Sequence, residues 1–147
     1  MGKCKSKFTD LEKSVECQVL AWAFQNHWSI DVYDSKAIQS VSSRYIRNSG
    51  LKVGTPDLIG CDNQGNAVFL ELKRPGKASV CSLEQRQFLE RKIDCNAFCL
   101  VLDSSDYLQN VYTKWSLMGQ KDRRDYLKSL LPVKVLIQKK VISLPIS

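Results

Sequence analysis

The chain has 147 residues, 44% hydrophobic and 25% charged, and its 22 Lys and Arg against 15 Asp and Glu give a net charge of +7. That length builds one domain, 1–147, with a core of its own, and no apolar run nears the ~20 residues that cross a bilayer. Six cysteines without a CxxC pair and one histidine argue against a disulfide framework and a closely spaced zinc site. The polar N-terminus MGKCKSKFTDLEKS lacks a secretory apolar segment and points to a reducing, cytoplasmic setting.

From Thr9 or Asp10 to about His27, apolar residues at Leu11, Val15, Val19, Trp22 and Ala23 predict an amphipathic helix. Glu12 and Glu16 lie one turn apart on nearly one face of it. His27 falls at its end, where a capping or surface histidine is the ordinary reading. SIDVYDSKAIQ has no decided pattern. VSSRYIRNSG, β-branched and aromatic with a closing turn signal, predicts a short strand over Val41 to Ile46.

GTPDLIGCDNQGNAVFLELKR, residues 54 to 74, reads as a hairpin: strands over Thr55 to Cys61 and Ala67 to Arg74 about the turn DNQGN. RPGKAS follows as a basic loop. Ser82 then caps a second helix, with Gln85 completing a Ser-x-x-Gln capping box. AFCLVLDS has the length and continuous apolarity of a buried strand. SDYLQNVYTKWSLMG and KDRRDYLKSLLP predict two further helices, and VKVLIQKKVIS a last strand or two. From Asn110 onward eight basic residues stand against Asp122 and Asp125, a surplus of six. A basic surface of this kind has nucleic acid as its commonest partner. The order α, β, β, β, α, β implies a mixed α/β (α+β) fold, a central mixed sheet flanked by helices, followed by a basic C-terminal extension from about 105 to 147.

The hairpin carries three charges where apolar flanks predict burial. Glu71 and Lys73 are two apart and share a strand face, about 7 Å apart at ~3.3 Å per residue. If the strands pair in register about DNQGN, Asp57 and Glu71 meet at the open end. An isolated ExK is ordinarily a solvated ion pair, and Pro-Asp an ordinary strand entrance. On a buried sheet, however, charges need partners. Two carboxylates side by side repel unless a hard divalent cation sits between them. Mg2+ suits oxygen ligands and keeps positions for phosphate and water, which is the chemistry of phosphodiester hydrolysis. Lys73 is placed to stabilise the charge that develops on phosphorus.

The ordered set of GTPD at 54 to 57, hairpin, ELK at 71 to 73, basic RPGK at 74 to 77 and SLEQ at 82 to 85 resembles the PD-(D/E)XK nuclease superfamily. With Glu12 on the first helix and RNSG at 47 to 50, it resembles more narrowly the VRR-NUC (virus-type replication-repair nuclease) family. The match runs over roughly residues 9 to 104. The resemblance implies a restriction-endonuclease-like core, and metal binding by Asp57, Glu71 and the main-chain carbonyl of Leu72. It further implies Lys73 as the catalytic lysine, Gln85 at the site, and Glu12 reaching in from the helix to a metal-bound water or a second metal, with Glu16 as its rival. The cofactor implied is Mg2+, with Mn2+ as substitute. Arg44, Arg47, Lys52, Arg74 and Lys77 flank the site and are candidates for phosphate contacts. One departure stands out: IDCNAF follows the second helix where the family more often has a glycine.

The function expected is a metal-dependent DNA endonuclease, selective for branched, flap or four-way junction DNA in replication, recombination or repair. A homodimer would match the two-fold symmetry of a junction. The alternatives are a non-catalytic nucleic-acid-binding module on the same fold, and a restriction-type or RNA-directed nuclease.

Overall fold

The computed structural model describes residues 7–33 and 54–145. Helix α1 (Lys7–Gln25) starts the fold and β1 (Ser29–Val32) follows. The hairpin is β2 (Leu58–Cys61) and β3 (Ala67–Leu72). Next come β4 (Val80–Ser82), α2 (Leu83–Asp94), β5 (Phe98–Leu102), α3 (Ser105–Ser116), α4 (Gln120–Leu130), β6 (Lys134–Ile137) and β7 (Lys140–Ser143). Among the described residues these strands form two mixed sheets, ordered β1-β2-β3-β5 and β4-β6-β7, with four helices around them. The mixed α/β fold, with a core like that of restriction endonucleases, is therefore present. No helix among the described residues is long and apolar enough to cross a membrane.

The strand expected over Val41 to Ile46 lies outside the described residues. The undecided segment SIDV supplies a strand instead, because β1 pairs antiparallel with β2, setting Ile30 opposite Gly60. A Cβ on Gly60 would stand 1.9 Å from the Ser29 carbonyl oxygen, so the two backbones approach this closely only over a glycine. The hairpin strands are shorter than expected. Pro56 has no N–H to give to a ladder, so β2 begins at Leu58, and Asp57 sits in the loop just before it.

Two helices end in Schellman motifs built on residues other than glycine. At the end of α1, His27 takes a left-handed φ of 60°, its N–H bonds the Phe24 carbonyl at 3.2 Å, and the Trp28 N–H reaches the Ala23 carbonyl at 2.8 Å. His27 is thus a capping residue, as expected, and it turns Trp28 back onto Trp22, the ring centroids 4.8 Å apart. Asn96 does the same after α2 with φ 69°. This accounts for the missing glycine in IDCNAF, since asparagine is the other residue that tolerates this conformation.

β5 is buried along its whole length. Phe98 meets Trp28, Tyr112 and Trp115, while on the opposite sheet face Phe69 meets Phe88 of α2. Leu108, Val111 and Trp115 of α3 and Leu127 of α4 belong to the same apolar cluster as Val15, Val19 and Leu70. The segment after residue 104 is therefore built into the core rather than appended to it.

Candidate active site

The register of the hairpin, Leu58 opposite Leu70 and Cys61 opposite Ala67, puts Asp57 opposite Glu71 when extended by one residue. The turn that sets this register is pinned by Asp62, which is 4% exposed. Its carboxylate accepts from the backbone N–H of Gln64 and Asn66, from the Asn66 side chain, and from the Tyr112 hydroxyl of α3 at 2.9 Å. The Tyr112 hydroxyl is correspondingly hard to ionise, through burial and this bond to a carboxylate.

At the open end of the hairpin, Asp57 Oδ2 accepts from the Leu72 N–H at 2.9 Å. Lys73 Nζ stands 3.5 Å from Glu71 Oε1 and donates to Gln85 Oε1 at 3.3 Å. Gln85 Nε2 donates to Glu71 Oε1 at 2.6 Å. The Gln85 amide is oriented by the capping box of α2: its Oε1 accepts from the Ser82 N–H at 2.9 Å, and the Gln85 N–H donates to Ser82 Oγ at 3.1 Å. Helix capping and contact with the site are therefore one arrangement. Gly54, at φ +92°, lets the loop that carries Asp57 lie directly on this first turn; a Cβ there would be 2.5 Å from the Glu84 carbonyl carbon.

The electrostatics of the carboxylate pair are unusual. Glu71 is 4% exposed, and burial followed by the charge of Asp57 pushes its pKa from 4.5 up to about 8, against the pull of Lys73. Asp57 is also raised, first by burial, with Glu12 adding to the shift and the Leu72 N–H opposing it. Glu71 Oε2 is the one buried side-chain polar atom without a hydrogen-bond partner among the described residues. Such an atom is satisfied either by carrying a proton toward Asp57 or by binding a cation. A half-buried and a buried carboxylate side by side, the buried one with an orphaned oxygen, fit a hard divalent ion. Among the described residues no three of the Cys, His, Asp and Glu side chains converge into a ligand set. A cation here would rely on Asp57, Glu71, main-chain oxygen such as the Leu72 carbonyl, and water.

Glu12 stands back from the pair and lines an open cleft of about 360 Å³ beside it, together with Lys73, Arg74, Gly76, Lys77, Ser79 and Val80. Of the two helix carboxylates, Glu12 rather than Glu16 faces the cleft and acts on Asp57. Arg74 and Lys77 are brought to the cleft. Arg44, Arg47 and Lys52 lie outside the described residues.

Two residues escape a reading of the sequence. Asp103 Oδ2 accepts from the Gly76 N–H at 2.8 Å and so ties the basic loop to the end of β5, beside the bond from the Lys73 N–H to the Leu102 carbonyl. Only its place after a buried strand hints at this. Asp62 was part of a turn signal, and an aspartate two residues before a backbone N–H it can accept from is the available clue to its anchoring role.

The model of the VRR-NUC domain matches residues 4–106. No curated protein and no solved structure matches the chain. The match covers more than half of the chain, including the hairpin, the ELK strand, the basic loop and the capping-box helix, so the chain belongs to the VRR-NUC family and is a nuclease-type, DNA-processing domain.

Proposed function

We propose that this single domain is a divalent-metal-dependent endonuclease that hydrolyses phosphodiester bonds in DNA. The observation that carries the reading is the pairing of half-buried Asp57 with buried Glu71, with Glu71 Oε2 orphaned and Glu71 raised to about 8. Buried like charges are costly to folding and persist where they have work.

Asp57, Glu71 and the Leu72 carbonyl would hold Mg2+, or Mn2+ in its place, which when bound polarises the scissile phosphate and offsets its charge. Lys73 presents its ammonium beside Glu71 Oε1 and stabilises charge building on the phosphoryl oxygens. Gln85 holds Glu71 and Lys73 in register, one amide group bonding both. Glu12, at the rim of the cleft, would accept a proton from the attacking water. A new P–O bond forms to the water oxygen, one P–O bond to a sugar breaks, and the departing oxygen is protonated by solvent. Arg74 and Lys77 hold phosphates of the strand, and Arg44, Arg47 and Lys52 are assigned the same role. These are contacts to backbone, which position DNA without reading its sequence.

The substrate we assign is branched DNA, a flap or a four-way junction, cut by a homodimer whose two sites face two strands. Support for this finer reading is the symmetry argument and the backbone character of the contacts. Purified protein with Mg2+ or Mn2+ should cut branched DNA in preference to linear duplex, single strand and RNA, and Glu71→Ala and Lys73→Ala should not cut. Equal cleavage by parent and variants would sink the proposal.

A further inference from the structure

Six of the eight basic residues after Asn110 divide into two groups. Arg123 caps the end of α3, its Nε on the Trp115 carbonyl at 2.9 Å and its guanidinium 4.1 Å from the Trp115 ring centroid. Arg124 binds Asn96, and Lys128 binds Asp94. These three have structural work. Lys134, Lys139 and Lys140, on the β6–β7 hairpin, are exposed and have no ion-pair partner among the described residues. No Asp or Glu follows Asp125 anywhere in the chain.

The fold sets this hairpin beside the cleft. β6 runs parallel to β4, with Lys134 opposite Val80, and Val80 lines the cleft with Lys73, Arg74 and Lys77. Lys134 therefore stands at the cleft's lip. The strand then runs on to its end at Ile137, about 10 Å further at ~3.3 Å per residue, where Gln138 and Lys139 form the turn. Both turn residues have left-handed φ, 47° and 65°. Such two-residue turns favour Asn-Gly, so stability alone would not select Gln-Lys here.

We propose that the β6–β7 hairpin is a second DNA-backbone contact, which carries a duplex arm away from the cleft with Lys134, Lys139 and Lys140 each at a phosphate. With charge spaced at 3.4 Å per strand, the hairpin spans roughly three base pairs. The family match ends at residue 106, so this contact belongs to the part of the chain that the family model does not describe. The inference rests on the nuclease reading for its choice of DNA, and its test is separate from catalysis.

The test is the salt dependence of binding to a labelled 30-base-pair DNA duplex, measured by fluorescence anisotropy with Ca2+ as the divalent ion, for the full chain and for Lys134→Ala/Lys139→Ala/Lys140→Ala. The slope of log K against log salt should shrink by about 0.9 for each lysine removed, about 2.7 in all. The kcat on a short substrate that ends at the cleft should not change. Lys114→Ala/Lys121→Ala is the control. α3 and α4 meet the DNQGN end of the central sheet, through Tyr112 on Asp62 and through the pocket that joins Asn66 to Gln120 and Arg124, so its slope should match the parent's. A reduced slope in a chain that cuts no DNA would keep the contact and overturn the catalytic reading instead. An unchanged slope in the triple variant overturns the inference. So does a slope that falls only on duplex RNA, or a variant that loses self-association while binding DNA as before.

Discussion

The two hairpins of this protein place charge in opposite ways. In β2–β3 the charges sit inside the fold: Glu71 is 4% exposed, and its partners are a neighbouring carboxylate, an ammonium and an amide. In β6–β7 the lysines stand in solvent, Lys140 on the edge strand β7, where Val141 and Ile142 are 57% and 44% exposed. Charge on an exposed edge is cheap and also discourages strand-to-strand aggregation, so its presence alone says little. Charge on a buried strand opposes folding, so its presence demands a compensating role. The difference separates a site that folding pays for from a surface that only a ligand would organise.

Removal of the buried charge has the largest expected effect. Glu71→Gln should lower cleavage by about 10²-fold or more while the protein stays folded. It should also stabilise the metal-free protein at alkaline pH. Glu71 is raised from 4.5 to about 8 on folding, so the folded state keeps a proton that the unfolded chain has released. The metal-free parent therefore loses stability as pH rises from about 4.5 to about 8. A divalent ion competes with that proton. Mn2+ at about 100 times its Kd should contribute about 2.7 kcal/mol at pH 8.5, a Tm rise of roughly 5–10 °C, and much less at pH 6. Thermal melts of parent and Glu71→Gln, with and without Mn2+, check both signs. A thermal shift that is equal at the two pH values, or that survives in Glu71→Gln, would place the ion elsewhere.

The next effect concerns the turn that sets the register. Asp62→Ala removes the acceptor of four hydrogen bonds and leaves the Asn66 N–H and the Tyr112 hydroxyl without it. A loss of about 2–3 kcal/mol in urea unfolding is expected. Tyr112→Phe, which removes one donor and keeps the ring among Trp28, Phe98 and Trp115, should cost about 1 kcal/mol. If the two variants lose the same amount, the turn bonds within the hairpin contribute nothing and α3 alone holds Asp62.

The local features of the site were legible because their causes are local. The two-residue period put Glu71 and Lys73 together, the turn centred the pairing, and Ser82-x-x-Gln85 announced a capping box whose amide the fold also uses at the site. Pro56 shortened β2 for a reason visible in the chain, yet its consequence, Asp57 in a loop with the Leu72 N–H bound to it, depends on β3. What the sequence hid is long-range. β1 exists because Gly60 admits its backbone, and neither segment shows this alone. The pairing of β4 with β6 joins residues over fifty positions apart in the chain, and a three-residue strand has too short a pattern to register. Asp103 is invisible for the same reason, because its partner at Gly76 comes from another element.

Asp103 also yields the smallest and most discriminating prediction. Its carboxylate holds the Gly76 N–H on an exposed loop, so the bond contributes about 1 kcal/mol at most. Loss of that bond frees the loop that presents Arg74 and Lys77 to the cleft, while Lys73 remains tied to β5 through its own N–H to the Leu102 carbonyl. Asp103→Ala should therefore raise KM for DNA a few-fold with kcat nearly unchanged. Asp103→Asn, which keeps an acceptor oxygen and removes a negative charge beside the basic loop, should restore KM or bring it below the parent's. If both variants lower KM, charge repulsion of the DNA is what Asp103 contributes, and the loop holds its shape without the bond. If Asp103→Ala instead lowers kcat, the loop and the Asp57–Glu71 pair move as one unit, and the cleft wall belongs to the catalytic apparatus rather than to substrate binding alone.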